Sequence, residues 1–265
     1  MHCNSTHLLG VVASLLVANA APLLAQESGT TVDLALVLAV DVSLSMDNRE
    51  QRLQRDGYAA AFRDPLLIDA ITGRGQGRIA VAYLEWGGSD LARLAVPWTL
   101  IDGRNAGRQF AAAVENAPRL RANRTSISNA LYAAAALLEE SGYVAERRVI
   151  DISGDGPNNQ GDPILVARRR IIERDITING LPILVNSFHE FGFLEFRNLE
   201  AYYSDCVIGG RGSFLVPVRH EGEFGDAIRR KLLLEVSGEF IAPQLIPVQA
   251  KAPSDCLIGE KLWGQ

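Results

Sequence analysis

A nearly unbroken apolar segment, residues 32–40, constrains the fold of this chain more than any other feature. It reads V-D-L-A-L-V-L-A-V and is followed directly by Asp41. A strand in a parallel sheet with helices on both faces has this character, because both of its side-chain rows are buried. The segment therefore predicts a central parallel strand that ends at Asp41.

Further apolar segments of strand length follow, with helical stretches between most of them. They occupy residues 79–86, 94–101, 149–153 and 178–185, and residues 214–218 predict a last strand. This alternation predicts an α/β fold, a doubly wound, mainly parallel sheet with helices on both faces. Pro97 lacks a backbone N–H, so the 94–101 segment is expected at an edge, as an antiparallel strand.

Helix signals separate these segments. Asp47 and Glu50 have the spacing of a capping box, and the helix that they begin should end near Asp64 and Pro65. Apolar residues at helical spacing indicate a helix within residues 125–140, another within 164–172 and a last one within 224–236, which Gly238 should end. Sheets of this kind bind ligands beyond the carboxyl ends of their strands, so chemistry is expected there.

The N-terminal segment has the composition of a secretory leader. Residues 1–25 contain no Asp, Glu, Lys or Arg, and residues 8–17 form an apolar run of the length of a signal-peptide core, although no Lys or Arg precedes it. No later segment has the length of a membrane span. We therefore expect a signal peptide at 1–25, a domain at 30–238, an extended C-terminal tail packed on it at 239–265, and a periplasmic or secreted location.

Two cysteines remain after such a leader. Cys206 lies in S-D-C-V-I-G and Cys256 in S-D-C-L-I-G, and an even number of cysteines in an oxidising compartment favours a disulfide between them. The alternative is two unrelated buried thiols. No CxxC pair or histidine cluster accompanies them, so metal binding by these cysteines is not expected.

Several functional classes have little support. The net charge of −5 provides no broad basic surface, so nucleic acid is not expected as a partner. The glycine-rich residues 73–78 precede a strand instead of following one, which favours a surface loop over a phosphate cradle. His189 and His220 are the only histidines after the leader, and no G-x-S-x-G motif exists, which argues against a Ser-His-Asp hydrolase.

Polar side chains gather at two predicted strand ends. Asp41, Ser43 and Ser45 form D-x-S-x-S where the first strand ends, so that their side chains converge beyond the sheet. Asp155 ends a second apolar strand between Gly154 and Gly156, and Thr125 opens the helix that begins T-S-I-S-N-A-L. Taken alone, D-x-S-x-S is equally consistent with a strand end that caps the next helix.

These motifs, in this order, resemble the von Willebrand factor A family and its metal-ion-dependent adhesion site. The resemblance covers about residues 32–238, and the whole chain also resembles an exported bacterial family of such proteins with unknown function. It implies that Ser43 and Ser45 ligate a divalent cation directly and Thr125 directly or through water. Asp41 and Asp155 would act mostly through bound waters and hydrogen bonds. Ser126, Asn158 and Asn159 are expected near the site, as turn residues and not as ligands.

The choice of hydroxyl ligands carries the functional prediction. Mg²⁺, or Mn²⁺ or Ca²⁺ in its place, prefers oxygen ligands, and neutral hydroxyls leave its charge incompletely compensated. An open position then favours an Asp or Glu of a protein partner, so a non-enzymatic binding module is expected. The alternative is a metal-dependent phosphohydrolase with Asp41 as nucleophile and Asp155 as metal ligand. Ser43 and the absence of Lys before Lys231 count against it. A third possibility is a structural domain whose site binds nothing.

Overall fold

The computed structural model describes Met1 and residues 29–185, 198–238 and 254–264. Residues 2–25 of the expected leader, His189, and residues 239–253 and 265 of the expected tail lie outside the described residues. The strands are β1 (Thr30–Asp41), β2 (Ile79–Trp86), β3 (Ala92–Ile101), β4 (Tyr143–Gly154) and β5 (Thr177–Pro182). The helices of the described residues are α1 (Asn48–Arg63), α2 (Pro65–Thr72), α3 (Arg104–Asn116), α4 (Ile127–Glu139), α5 (Ile164–Ile172), α6 (Leu199–Tyr202), α7 (Phe224–Ser237) and α8 (Ile258–Trp263).

The strands form one sheet in the order β3-β2-β1-β4-β5. The apolar segment that ends at Asp41 is its central strand, and it pairs in parallel with β2 on one side and with β4 on the other. β3 pairs antiparallel with β2 at the edge, as Pro97 predicted. The expected doubly wound, mainly parallel α/β fold is therefore confirmed.

Both faces of β1 are buried, each in its own core. Leu34, Leu36 and Leu38 pack on one face in a cluster that includes residues of α1, α2, α3 and α7. The alternate residues Ala35 and Val37 pack on the other face in a cluster that includes residues of α4, α5 and α6. Each fully buried leucine contributes roughly 1.5–3 kcal/mol, so these two clusters fix the strand between two helical layers.

Local signals set the ends of several helices as predicted. Asp47 accepts hydrogen bonds from the first turn of α1, and the Glu50 side chain accepts one from the Asp47 backbone, so the capping box is present. Such a cap contributes about 1 kcal/mol. α7 ends at Gly238, whose φ of 60° lies in the left-handed region that favours glycine.

Three expectations about secondary structure were wrong. Residues 214–218 run beside β5 only through isolated bridges at Leu215 and Val218. The Val216 and Val218 N–H groups donate to Gly180 and Pro182, but Pro182 of β5 has no N–H with which to continue a regular ladder. Thr125 does not open a helix, since α4 begins at Ile127 with Ser126 as its N-cap. The described end of the tail is not extended but contains α8, whose six residues are too few for sequence periodicity to reveal.

Cys206 and Cys256 form the disulfide that their number and setting favoured. The bridge joins positions 50 residues apart, and closing a loop of that size stabilises a fold by about 4 kcal/mol in the chain-entropy account. Among the helices of the described residues, none has the length and apolar character needed to cross a membrane.

Candidate metal site

The D-x-S-x-S segment folds back on itself at the end of β1. Asp41 is the last residue of the strand and is fully buried, and its Oδ1 accepts a 2.7 Å hydrogen bond from the Ser43 backbone N–H. The Ser43 and Ser45 hydroxyls lie 2.9 Å apart. Ser43 is buried whereas Ser45 is exposed, so the two hydroxyls lead from the end of the strand towards solvent.

Asp155 reaches this segment because β1 and β4 are neighbours. Val40 is paired with Ser153 in the parallel register, so both strands end at the same edge of the sheet. The Ser45 hydroxyl donates a 2.6 Å hydrogen bond to Asp155 Oδ1. Between the strands, a Cβ on Gly154 would lie 2.9 Å from Asp41 Oδ2, so glycine allows this close approach.

Backbone contacts bring Thr125 to the same edge of the sheet. The Ala122 N–H donates to the Val42 carbonyl oxygen at 3.0 Å, immediately after β1. Asn159 then forms two hydrogen bonds with the backbone of Thr125. Its side-chain oxygen accepts from the Thr125 N–H at 3.0 Å, and its own N–H donates to the Thr125 carbonyl oxygen at 2.9 Å. Asn159 follows β4, so the Thr125 segment is tied to the ends of both β1 and β4.

The carboxylate of Asp41 is electrostatically unfavourable when it is ionised. Burial raises its pKa well above the usual range, and the nearby charge of Asp155 raises it further, against a lowering by hydrogen bonds from Ser43. Burial and the same two carboxylates also raise the pKa of the Tyr203 hydroxyl, which is therefore neutral. Two carboxyl groups therefore lie close together in a setting of low polarity that opposes the ionisation of Asp41.

These residues fit a hard divalent cation. Asp41 Oδ2 is buried and has no hydrogen-bond partner among the residues that the structure describes. Serine hydroxyls and two carboxylates supply only oxygen atoms, which Mg²⁺, Mn²⁺ and Ca²⁺ prefer, and positive charge here would offset the repulsion between Asp41 and Asp155. Over the described ranges, no cluster of three or more His, Cys, Asp or Glu residues is suited to a metal.

Several residues around the cluster have roles that their sequence setting did not reveal. Asn158 and Asn159, expected as turn residues, are both buried and hold the Thr125 segment and the start of α4. Trp86 and Tyr203 approach Gly154, and each has a buried polar atom without a hydrogen-bond partner within the described part of the chain. Only the position of Trp86 at the end of an apolar run could have drawn attention to it.

The remaining candidates from the sequence lie outside this cluster. In the glycine-rich loop, the Gln76 N–H donates to a carboxylate oxygen of Asp33 at 2.6 Å, which fits the surface loop expected there. His220 is exposed. Lys231 is fully buried in α7, where its ammonium lies 2.8 Å from Asp151 and 2.7 Å from Glu235. The first lysine of the chain is thus engaged in a structural ion pair.

One family model matches most of the chain. Its description is "Protein of unknown function (DUF1194)", and it matches residues 31–240. No functionally curated protein matches the sequence.

Solved structures share the fold at low sequence identity. Proximal thread matrix protein 1 from the mussel byssus matches with a TM-score of 0.54 and 14% identity, over 79% of this chain and 49% of its own. A second structure of that protein, described "with zinc occupied MIDAS motif", matches with a TM-score of 0.51 and 13% identity, over 79% and 46%.

Two bacterial structures add to this group. The pilus adhesin SpaC from Lactobacillus rhamnosus GG matches with a TM-score of 0.55 and 13% identity, over 79% of this chain and 30% of its own. A von Willebrand factor type A protein from Catenulispora acidiphila matches with a TM-score of 0.51 and 17% identity, over 78% and 43%. The chain spans less than half the length of each of these proteins. The fold is therefore that of a von Willebrand factor A domain.

Proposed function

The chain belongs to the DUF1194 family of proteins of unknown function and has a von Willebrand factor A fold, and from this premise we propose that it is a metal-dependent protein-binding module. The observation that carries the proposal is the chain of hydroxyls from buried Ser43 to exposed Ser45, which ends on Asp155. Hydroxyl ligands at a solvent-facing edge suit a cation that binds a partner.

Each residue of the cluster has a distinct role in this proposal. Ser43 and Ser45 ligate Mg²⁺, or Mn²⁺ or Ca²⁺ in its place, through their hydroxyls, and Thr125 does so directly or through water. Asp41 and Asp155 orient these hydroxyls and the bound waters through hydrogen bonds. Carboxylates outside the immediate ligand set keep the ligands in place and leave charge at the open face of the ion uncompensated.

The partner is a protein that presents an Asp or Glu side chain. An ion held mainly by neutral hydroxyls attracts such a carboxylate more strongly than one already neutralised by its own ligands. Two proteins of the same fold support this proposal: SpaC is a pilus adhesin, and the mussel thread protein has been described with zinc in its metal-ion-dependent adhesion motif.

The proposed location is the periplasm or the exterior of the cell. The disulfide between Cys206 and Cys256 requires an oxidising compartment to persist. Within this proposal, residues 1–25 are a removable signal peptide, residues 30–238 are the binding domain, and residues 239–265 are a tail packed on it.

Affinity capture from the exported fraction tests the function. The purified chain serves as bait in the presence of Mg²⁺ and again with EDTA, beside a Ser43→Ala/Ser45→Ala bait. The matched control is Ser141→Ala/Ser237→Ala. Ser141 lies just before β4 and Ser237 ends α7, so both are at the opposite edge of the sheet. We expect a protein that only the intact and control baits retain, and only with metal. Retention unaffected by EDTA or by the first double substitution would contradict the proposal.

A further inference from the structure

The short helix α8, near the C-terminal end of the described chain, lies against the loop that follows Asp155. We name residues 156–160 the asparagine loop. The backbones meet so closely that a Cβ on Gly259 of α8 would lie 1.9 Å from the Asn158 carbonyl oxygen. α8 lies beyond residues 31–240, the part of the chain that matches the family model. The proposed ligands do not include any of its residues.

Asn158 is the centre of this contact. It is fully buried, and its backbone N–H donates to the Tyr202 hydroxyl at 3.1 Å. Its side-chain Nδ2 donates to Glu260 Oε1 of α8 at 2.8 Å. Its Oδ1 accepts from the Ser128 N–H in the first turn of α4 at 3.0 Å. Asn158 therefore connects α6, α8 and the start of α4.

The asparagine loop also determines where Thr125 lies. Asn159, the next residue, makes two backbone-directed hydrogen bonds with Thr125. Thr125 and Ser128 are only three positions apart, and each gives its N–H to one of the two asparagine side chains. A displacement of the loop would therefore move the whole segment that carries the Thr125 hydroxyl.

The disulfide joins the two elements that hold Asn158. Tyr202 ends α6 and runs directly into the π-helical turn Tyr203–Val207, which contains Cys206. Cys256 lies two residues before α8, which supplies Glu260. Tyr202 and Glu260 thus reach Asn158 from segments that are covalently linked next to it. A second contact supports α8 on the same side, since the Trp263 ring lies 4.6 Å from the Arg124 guanidinium, next to Thr125.

The burial of Glu260 is unfavourable for the stability of the fold if this residue serves only to pack α8 against the domain. It is only 9% exposed, and its Oε2 has no hydrogen-bond partner among the described residues. Burying a carboxylate without full pairing is unfavourable, and an apolar residue would fill the same space with less loss of solvation. Within the described part of the chain, the hydrogen bond of the Glu260 side chain is the one that it accepts from Asn158.

We propose that α8, anchored by the disulfide, is a positioning element of the metal site, in which Glu260 holds Asn158 and thereby keeps Thr125 in place for the cation. This inference rests on the proposed function, because it assigns Thr125 to the site. Glu260 is a positioning residue, since it acts through Asn158 and the asparagine loop. Loss of its hydrogen bond, or of the disulfide, weakens cation binding while the domain stays folded.

Mn²⁺ titration provides the first test. Dissociation constants are measured by calorimetry for the intact chain, Glu260→Ala, Glu260→Gln and Cys206→Ala/Cys256→Ala. Circular dichroism verifies that each is folded at the temperature used. Partners that orient metal ligands change affinity by about 10–100-fold, so we expect at least a tenfold weakening for Glu260→Ala and for the double cysteine variant. Glu260→Gln keeps the acceptor oxygen and should restore most of the affinity.

The matched control is Lys261→Ala. Lys261 is the neighbouring residue of α8, and its ammonium forms an exposed pair with Asp255 at 2.6 Å. This variant should bind Mn²⁺ as the intact chain does. Equal affinity of the intact chain and Glu260→Ala would overturn the inference, and so would an equal loss in Glu260→Gln.

Amide hydrogen exchange without metal provides a second test that does not depend on cation binding. The Thr125 and Ser128 amides should exchange faster in Glu260→Ala and in the double cysteine variant. The Ala122 amide, which donates to Val42, should not change and serves as the internal reference. Unchanged exchange at Thr125 and Ser128 refutes the positioning role. If the intact chain binds no Mn²⁺, the proposed function fails, and the exchange result still decides whether α8 positions Thr125.

Discussion

The Ser45 hydroxyl donates a 2.6 Å hydrogen bond to Asp155 Oδ1, although 110 positions separate the two residues in the sequence. The contact joins the segments that follow β1 and β4, which are adjacent in the sheet and run in the same direction. Because one partner is exposed and the other follows a buried strand, this bond marks where the cluster reaches solvent. Replacing Ser45 by Ala removes this contact.

Removing the two serine hydroxyls should abolish metal-dependent stabilisation. We expect the intact chain to melt at a higher temperature with Mg²⁺, Mn²⁺ or Ca²⁺ than with EDTA. A ligand at one hundred times its dissociation constant stabilises the folded state by about 2.7 kcal/mol. Ser43→Ala/Ser45→Ala should show no such shift, whereas Ser141→Ala/Ser237→Ala should keep it. Identical melting of the intact chain with metal and with EDTA would rule out the metal site.

Replacing Asp41 by Asn should separate metal binding from the stability of the metal-free protein. The substitution removes a carboxyl group whose ionisation is opposed by burial and by Asp155, so metal-free Asp41→Asn should melt no lower than the intact chain. The shift caused by Mg²⁺ should decrease, because the carboxylate that orients the hydroxyls is lost. Both effects are measured by thermal melting with and without EDTA.

The Asp41→Asn variant also tests the alternative that the protein is a phosphohydrolase and not a binding module. A phosphohydrolase that uses Asp41 as nucleophile would turn over phosphate esters with Mg²⁺ and lose this activity in Asp41→Asn. We expect no turnover by either protein. Metal-dependent turnover by the intact chain that disappears in the variant would overturn the assignment as a binding module.

Replacing Lys231 by Met should strongly destabilise the domain. Lys231, Asp151 and Glu235 are all buried, and Lys231 pairs with both acids. The substitution leaves two buried carboxylates without their cation, for which about 3–5 kcal/mol is expected. Urea denaturation measures this loss. Lys261→Ala breaks an exposed pair, so the control should lose no more than about 1 kcal/mol.

Asp151 should make the stability of the domain depend on pH in the acidic range. Burial raises its pKa to about 6, against the opposing effect of Lys231. Between the ordinary value of 3.8 and about 6, the folded protein then binds more protons than the unfolded chain. The contribution of Asp151 is therefore complete below that value and is lost as the pH rises through about 6.

Urea denaturation from pH 4 to pH 7 measures this effect in the intact chain and in Asp151→Asn. The free energy of unfolding of the intact chain should fall relative to that of the variant as the pH increases. Asp56→Asn, at an exposed position of α1, is the matched control and should follow the intact chain. A constant difference between the intact chain and Asp151→Asn would contradict the prediction.

Structural elements that are determined by residues close together in the sequence were predicted correctly. The apolar segment before Asp41 is the central strand, and the Asp47 and Glu50 pair caps α1. Pro97 indicated an edge strand for the same reason, since a missing N–H affects only the residue itself and its direct partner. The prediction of a regular strand at residues 214–218 was wrong, because the ladder also depends on the partner strand, where Pro182 lacks an N–H.

Elements held by distant contacts were not predicted. α8 has six residues, too few to show periodicity or to be stable alone, and its position depends on the disulfide and on the bond from Asn158 to Glu260. The supporting roles of Asn158 and Asn159 also depend on residues about 30 positions away. Asparagine is common both in exposed turns and at buried positions where its side chain binds the backbone of another segment. The sequence alone therefore did not show which of these two roles Asn158 and Asn159 have.

The sequence by itself determined the strand that ends at Asp41, the layered α/β fold and the hydroxyl-rich segment, because apolar periodicity and strand-end chemistry are local properties. Only the tertiary structure decided what surrounds that segment. The pairing of β1 with β4 brings Asp155 to Ser45, and hydrogen bonds from the asparagine loop tie Thr125 to the chain that follows β4. These contacts join residues far apart in the chain, and their formation depends on the packing of the whole sheet.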